Sequence, residues 1–366
     1  MKTVFNEENV CGLLNDADYA PLSATELGGG SNHYVFLVQA AGEKIWIVKF
    51  PRIRETEMKY QQEHCDTLFG GRLSLQREAF LLDRIRAAGL PTPKVSGVYS
   101  SSLGDFIVMD LAPGKDLPSY MADCGHSLDA FLRIMESLGR DMAKLHQVRY
   151  PSFGNIMAGN QVEPSGILNF ADRYLPINER IIAICRDKGG LSQQEATEVS
   201  RFFQNGFKRY RSLLDVKNNA ATLVMTDLHG GNFFVEYDQV SSYFDVESSQ
   251  AAPAVFELYA LRFFVFNFYG QEEQAVAEKA FWNAYSAGKF DEPSEEVHQL
   301  IDFFSACRLL EIFQSYWGYV DGLRDTWGQR IKDLLFEYIK TGRIDYVKLG
   351  VIWRERDGQP EKAVWT

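Results

Sequence analysis

The chain has 366 residues, 46% of them hydrophobic and 24% charged, which suits a globular protein with room for two domains or one large two-lobed unit. Its formal net charge of −11 argues against nucleic-acid binding, which needs a basic face for the phosphates. The same acidity suits a cationic small-molecule partner, although an excess of carboxylates also serves solubility by itself. Five scattered cysteines without a CxxC pair fit a reducing cytoplasm and give no disulfide framework or zinc site. The N-terminus "MKTVFNEENVCGLL" lacks the long apolar core of a signal peptide, and no run of 18 apolar residues is present to span a membrane.

In chain order, residues up to about 115 read as strands around one helix. "YVFLVQ" (34–39) and "KIWIVKF" (44–50) are β-rich runs joined by "AAGE", a hairpin signal. "LSLQREAFLLDRIRAAGL" (73–90) sets Leu75, Ala79, Leu82 and Ile85 on a helical stripe that Gly89 closes. "PTPKVSGVY" and "DFIVMDLAPG" are extended, and Pro113-Gly114 is a natural break. Beyond it, Leu128, Phe131, Met135, Leu138, Met142 and Leu145 step by three and four, an amphipathic helix opening after Ser127. Strands return at "TLVM", "NFFVEY" and "SSYFDVE", and residues 253 to about 340 read as helical, with "FELYALRFFVFNFYG" as a buried helix.

Four features carry chemistry. "LGGGSNHYVFLV" (27–38) is a Gly-rich turn entering a strand, and glycines let backbone N–H groups approach an anion closely. Lys49 ends the apolar run "IWIVK", where a lysine can reach phosphate oxygens. Glu78 follows in the helix and can pair with it; Glu63 is a competing partner. "MTDLHGGNFF" (225–234) and "YFDVE" (243–247) supply Asp227 to orient or deprotonate a hydroxyl, Asn232 as a neutral oxygen ligand suited to Mg²⁺, and Asp245 as a carboxylate ligand. Taken singly, each residue reads as a turn, a cap or a solvated charge. Taken together, the order is that of a kinase-like nucleotide site.

At this point the chain resembles the aminoglycoside phosphotransferase and choline kinase-like family, small-molecule relatives of protein kinases. "DLHGGN" matches the family's catalytic loop, "FDVE" its metal segment, and "GGGSN" its phosphate loop. "GLPTPKV", "IVMDLAPG" and "LGRDMAKLHQV" add to a likeness that runs over roughly residues 22 to 262. The resemblance implies an α+β, two-lobed protein-kinase-like fold, with a small antiparallel-sheet lobe over 1–113 and a large, mainly helical lobe over 114–366. It implies a cytoplasmic enzyme that moves the γ-phosphoryl group of ATP to a hydroxyl of a small molecule, an aminoglycoside-type antibiotic among the acceptors. A metabolic kinase for choline, ethanolamine, homoserine or a sugar, and a nucleotide-binding scaffold without activity, are the competing readings. Neither nucleic acid nor membrane enters as a partner.

By the same resemblance Asp227 is the catalytic base, and Asn232 and Asp245 hold Mg²⁺. Gly28, Gly29, Gly30 and Ser31 wrap the phosphates, while Lys49 contacts the α- and β-phosphates with Glu78 orienting it. Met109, Asp110, Leu111 and Ala112 receive adenine through backbone groups, and His229 braces its loop. Two departures stand out. Met225-Thr226 replaces the usual His-Gly before the aspartate, and Glu257 in "APAVFEL" stands where an aspartate is usual. The long charged insertion between Lys49 and Glu78 is open to reading as a substrate lid or a partner surface.

Overall fold

A computed structural model describes residues 5–27, 33–51, 74–101, 104–269, 271–287, 293–318 and 327–356. Gly28, Gly29, Gly30, Ser31, Glu63 and most of the charged insertion lie outside these residues. The chain opens with helix α1 (Glu7–Asp16), which the sequence reading did not anticipate; Asn6 caps it by accepting a hydrogen bond from the Asn9 amide. Strands β1 (Pro21–Glu26), β2 (His33–Ala40) and β3 (Lys44–Pro51) follow, then helix α2 (Leu75–Ala87), β4 (Val95–Ser101) and β5 (Gly104–Asp110). The five strands form one antiparallel sheet in the order β1-β2-β3-β5-β4. The β2–β3 hairpin turns where expected, with Gly42 and Glu43 both at positive φ.

Strand alternation gives this sheet two buried faces. Phe36, Val38, Val48, Phe50, Phe106 and Val108 pack with Val10 and Leu14 of α1, whereas Ile107 and Met109 pack with Leu75 of α2. Ser74 caps α2 through the Arg77 amide, and Gly89 ends it at φ +88°. Ala79 of the expected stripe is half-buried, and the helix buries Arg77 and Glu78 instead. The helix therefore turns a charged edge inward, toward the site.

After the sheet the chain crosses over through Pro113-Gly114. Gly114 sits at φ +96°, and a Cβ there would lie 2.6 Å from the Val235 carbonyl oxygen, so this crossing requires glycine. Then come β6 (Lys115–Asp116), α3 (Leu117–Asp123), α4 (Leu128–Leu145), β7 (Arg149–Tyr150), β8 (Gly154–Ile156), β9 (Val162–Glu163), α5 (Phe170–Asp187) and α6 (Gln193–Arg209). The strands β10 (Ala221–Val224), β11 (Phe233–Glu236), β12 (Gln239–Tyr243) and β13 (Gln250–Pro253) precede helices α7 (Ala254–Phe264), α8 (Gln271–Tyr285), α9 (Glu295–Gly318), α10 (Gln329–Thr341) and α11 (Tyr346–Arg356). Sequence pattern located α4 and the three strand returns; it missed β13 and the short strands that complete the sheet β7-β10-β13-β8-β9. A second sheet, β12-β11-β6, joins the crossing segment to the β11–β12 hairpin.

One large apolar core holds the helices together, and Leu81, Leu82 and Ile85 of α2 belong to it. A mixed α+β architecture results: an antiparallel sheet first, a mainly helical part after, as the resemblance implied. Among the described residues no helix is long and apolar enough to cross a membrane.

Candidate active site

Lys49 lies on β3 opposite Val35 of β2 and Ile107 of β5, with its neighbours Val48 and Phe50 facing the other side of the sheet. That register turns Lys49 toward α2. Its Nζ donates to Glu78 Oε1 at 2.8 Å and to Asp245 Oδ1 at 2.7 Å. Of the two glutamates that the sequence offered, Glu78 is the partner seen. Lys49 is 7% exposed and Glu78 1%. Burial alone would lower the lysine's pKa, but Glu78, Asp245 and Glu247 outweigh it and hold the ammonium well above its usual range. Burial works against Asp245 as well, and Lys49 more than offsets it, leaving this carboxyl below its usual range. Glu78, fully enclosed and facing Asp245, is pushed up despite Lys49. One ammonium serves two carboxylates, and the more enclosed one bears the desolvation.

The register of the β11–β12 hairpin brings the second half of the site together. Phe233 pairs with Tyr243, and the Phe244 amide donates to the Asn232 carbonyl at 3.1 Å, so Asn232 and the start of the 245–248 segment lie side by side. Asp245 is in the left-handed region, at φ 54°, and its side chain is 43% exposed. Asn232 Nδ2 donates to the Asp227 carbonyl at 2.8 Å, which leaves its amide oxygen available as a ligand. His229 Nδ1 accepts from the Gly231 amide at 3.1 Å, the bracing role expected of it. A neutral amide oxygen and a half-exposed carboxylate make a hard-oxygen pair that fits Mg²⁺.

Both departures from the family pattern resolve into one brace. Glu257 of α7 is fully buried; its Oε1 accepts from the Met225 amide at 2.9 Å, and its Oε2 lies 2.7 Å from His146 Nε2. His146 Nδ1 in turn lies 2.8 Å from the Tyr285 hydroxyl. The extra methylene of the glutamate is accommodated. Burial pushes the Glu257 carboxyl up, against the pull of His146. Thr226 donates through Oγ1 to the Ser248 carbonyl at 2.9 Å, and the Tyr259 hydroxyl donates to the Thr226 carbonyl. The residues just before Asp227 are thus tied both to α7 and to the 245–248 segment.

Several site residues had no signal in the sequence. Arg77, 2% exposed, donates to the carbonyls of Ile156, Glu247 and Ser249 and so fastens the 245–249 segment to α2. Arg308 of α9 donates from Nη2 to Asp227 Oδ1 at 3.0 Å. His33, Glu78 and Glu247 bring potential ligand atoms within 4.8 Å of one another, next to Lys49. Burial and the nearby ammonium push His33 down to about 3, so its imidazole is neutral there.

At the crossing, Met109 pairs with Ile47 and Val95, Asp110 pairs with Trp46, and the Asp110 amide is committed to the Lys94 carbonyl at 2.9 Å. Leu111 and Ala112 lie past the last strand pair, and Leu111 is 42% exposed.

A lysine–carboxylate cluster under an antiparallel sheet, facing an Asp–Asn loop from a helical part, defines a kinase-like phosphotransferase. The comparisons agree: residues 23–298 match the phosphotransferase enzyme family, and the chain belongs to it. Among solved structures, it is similar to the aminoglycoside phosphotransferase APH(4)-Ia in ternary complex with AMP-PNP and hygromycin B, at 12% identity and TM-score 0.60, over 92% of this chain and 100% of that one. It is similar to the streptomycin-ATP-APH(2")-IIa ternary complex at 14% identity and TM-score 0.61, over 90% of this chain and 97% of that one. A GDP complex of an aminoglycoside 2'-phosphotransferase-IIIa variant matches at 15% identity and TM-score 0.60, over 91% of this chain and 97% of that one. The comparison with curated proteins found no match.

Proposed function

We propose that the protein transfers the γ-phosphoryl group of ATP to a hydroxyl of a small molecule, with an aminoglycoside-type compound as the first acceptor class to test. The observation that carries this reading is Lys49 bridged between Glu78 and Asp245, with Asp227 and Asn232 on one facing loop. Solved structures with this fold hold hygromycin B with AMP-PNP, or streptomycin with ATP. The net charge of −11 favours a cationic acceptor.

In this reading Lys49, oriented by Glu78, binds the α- and β-phosphates, and Gly28, Gly29, Gly30 and Ser31 supply backbone donors around them. Met109, Asp110, Leu111 and Ala112 border the base. Asn232 and Asp245 hold Mg²⁺, which offsets charge on the phosphate oxygens. Asp227 aligns the acceptor hydroxyl and takes its proton as the new O–P bond forms and the bond from the γ-phosphorus to the bridging oxygen breaks, releasing ADP. The lobes divide at residue 113, the phosphates entering from 1–113 and the acceptor from 114–366. A cytoplasmic location and a part in antibiotic resistance belong to the same proposal.

The test is ADP release from Mg·ATP across aminoglycosides, macrolides, choline, ethanolamine, homoserine and sugars, with Asp227→Asn in parallel. Turnover with one class that Asp227→Asn abolishes supports the reading and names the acceptor. Turnover with an amino alcohol, homoserine or a sugar alone assigns a metabolic kinase instead. Tight Mg·ATP binding with no turnover on any acceptor returns the scaffold.

A further inference from the structure

Beyond residue 298, where the family match ends, the fold sends one cation back to the catalytic loop. Arg308 Nη2 donates to Asp227 Oδ1 at 3.0 Å, across 81 positions of sequence. The guanidinium is itself held: Nη1 donates to Glu311 Oε2 at 3.1 Å, and Cζ stands 5.8 Å from the centre of the Phe264 ring. Glu311 is 2% exposed, and the Arg308 side chain 15%. The Asp227 side chain, by contrast, is 32% exposed and sits on a loop. A half-buried aspartate on a loop has several rotamers open to it; one bonded to a fixed guanidinium is held in one.

We propose that Arg308 is a positioning residue for Asp227, set by Glu311 and Phe264. A carboxylate has two oxygens. Arg308 occupies Oδ1, which leaves Oδ2 to meet the acceptor hydroxyl from one defined direction. Arginine keeps its proton at every working pH, so the hold persists while Asp227 gains and loses one. The planar fork matters as well as the charge, because one guanidinium reaches Asp227 and Glu311 through different nitrogens. The inference rests on the phosphotransfer reading above and adds a residue to it from outside the matched region.

Two measurements test it. The first is a thermal double-mutant cycle over Asp227→Asn and Arg308→Gln, read as Tm without any substrate. The pair predicts that the double variant loses less Tm than the sum of the two single losses; additive losses overturn the pairing whatever the turnover. The second is steady-state ADP release with the acceptor identified in the panel. Arg308→Gln is expected to lower kcat by about 10- to 100-fold, the scale of a small misplacement of a catalytic group, while KM for Mg·ATP moves less than about threefold. Arg308→Lys, which keeps the charge but loses the fork, should recover part of kcat. In the Asp227→Asn background, Arg308→Gln should cost nothing further. An unchanged kcat, a loss confined to the KM of Mg·ATP, or an equal further loss in the Asp227→Asn background overturns the positioning role. If the cycle is coupled but the wild type turns over no acceptor, the phosphotransfer reading has failed and the ion pair remains.

Discussion

Glu257 Oε1 lies 2.9 Å from the backbone nitrogen of Met225, two residues before Asp227. The loop that carries Asp227 is therefore pinned at its entry by a carboxylate from the next helix, and the same carboxylate reaches His146 of the segment that follows α4. That side chain lies 32 positions downstream of the amide it holds, and it acts alongside the loop's own Thr226 and His229.

Shortening or neutralising that carboxylate should show the brace at work. Glu257→Asp pulls it back by a methylene and cannot reach both Met225 and His146; we expect a loss of about 1–3 kcal/mol of stability and reduced turnover. Glu257→Gln separates the pH effect. Because burial raises this carboxyl, its stabilising share is fully present below the unfolded value of about 4.3 and is lost as pH rises through the higher folded value. The Tm gap between wild type and Glu257→Gln should therefore shrink with rising pH. A gap that widens would sink this assignment.

Asp227→Asn should leave Mg·ATP affinity within about twofold while lowering kcat by roughly 10²- to 10⁴-fold, the range of a positioned general base. Calorimetry with the nucleotide and an ADP-release assay separate the two effects. Equal loss of both would place Asp227 in nucleotide binding instead.

Lys49→Met removes the one ammonium shared by Glu78 and Asp245. Leaving buried Glu78 without its cation should cost about 3 kcal/mol, seen as a lower Tm without ligand. The thermal shift on adding Mg·ATP should disappear as well. A normal shift would show that Lys49 does not meet the phosphates.

Metal removal tests Asn232 and Asp245. Chelation with EDTA should abolish turnover, and added Mg²⁺ should restore it in the wild type. Asn232→Leu keeps the volume but offers no oxygen, so it should need far more Mg²⁺ for half-maximal rate. Unaltered Mg²⁺ dependence would remove Asn232 from the metal site.

Arg262 of α7 ties α8 and α9 together, and Tyr346 of α11 joins them through Asp302. Arg262 donates to Glu278 Oε1 at 2.5 Å and to Asp302 Oδ1 at 3.0 Å, and Tyr346 donates to that same Asp302 oxygen at 2.6 Å. Arg262→Ala strands two enclosed carboxylates and should lower stability by about 3–5 kcal/mol, measured by urea denaturation, with KM for Mg·ATP unchanged in the folded fraction.

How much of this was legible before folding depends on the kind of signal. The hairpin at 40–43 and helix α4 announce themselves through turn residues and period, which are local. Lys49, Glu78, Asp227, Asn232 and Asp245 were legible as a set because their residue types and order are those of a nucleotide site, although each alone reads as a cap or a turn. The inward turn of Arg77 ran against the apolar stripe read from α2, where Ala79 was expected to be buried. That side of the helix is decided by three backbone carbonyls, two of them more than 160 positions away.

The sequence by itself determined the class: an antiparallel sheet, then helices, with the Asp227–Asn232 loop and the Asp245 segment in the order of the phosphotransferase family. Tertiary structure alone decided who holds these groups. Lys49 meets Asp245 across 196 positions, Arg308 meets Asp227 across 81, and Glu257 rather than a loop neighbour fastens Met225. The physical reason is that propensity and period act over a few residues, whereas a buried ion pair forms only where packing delivers both partners and removes the water that would otherwise solvate them.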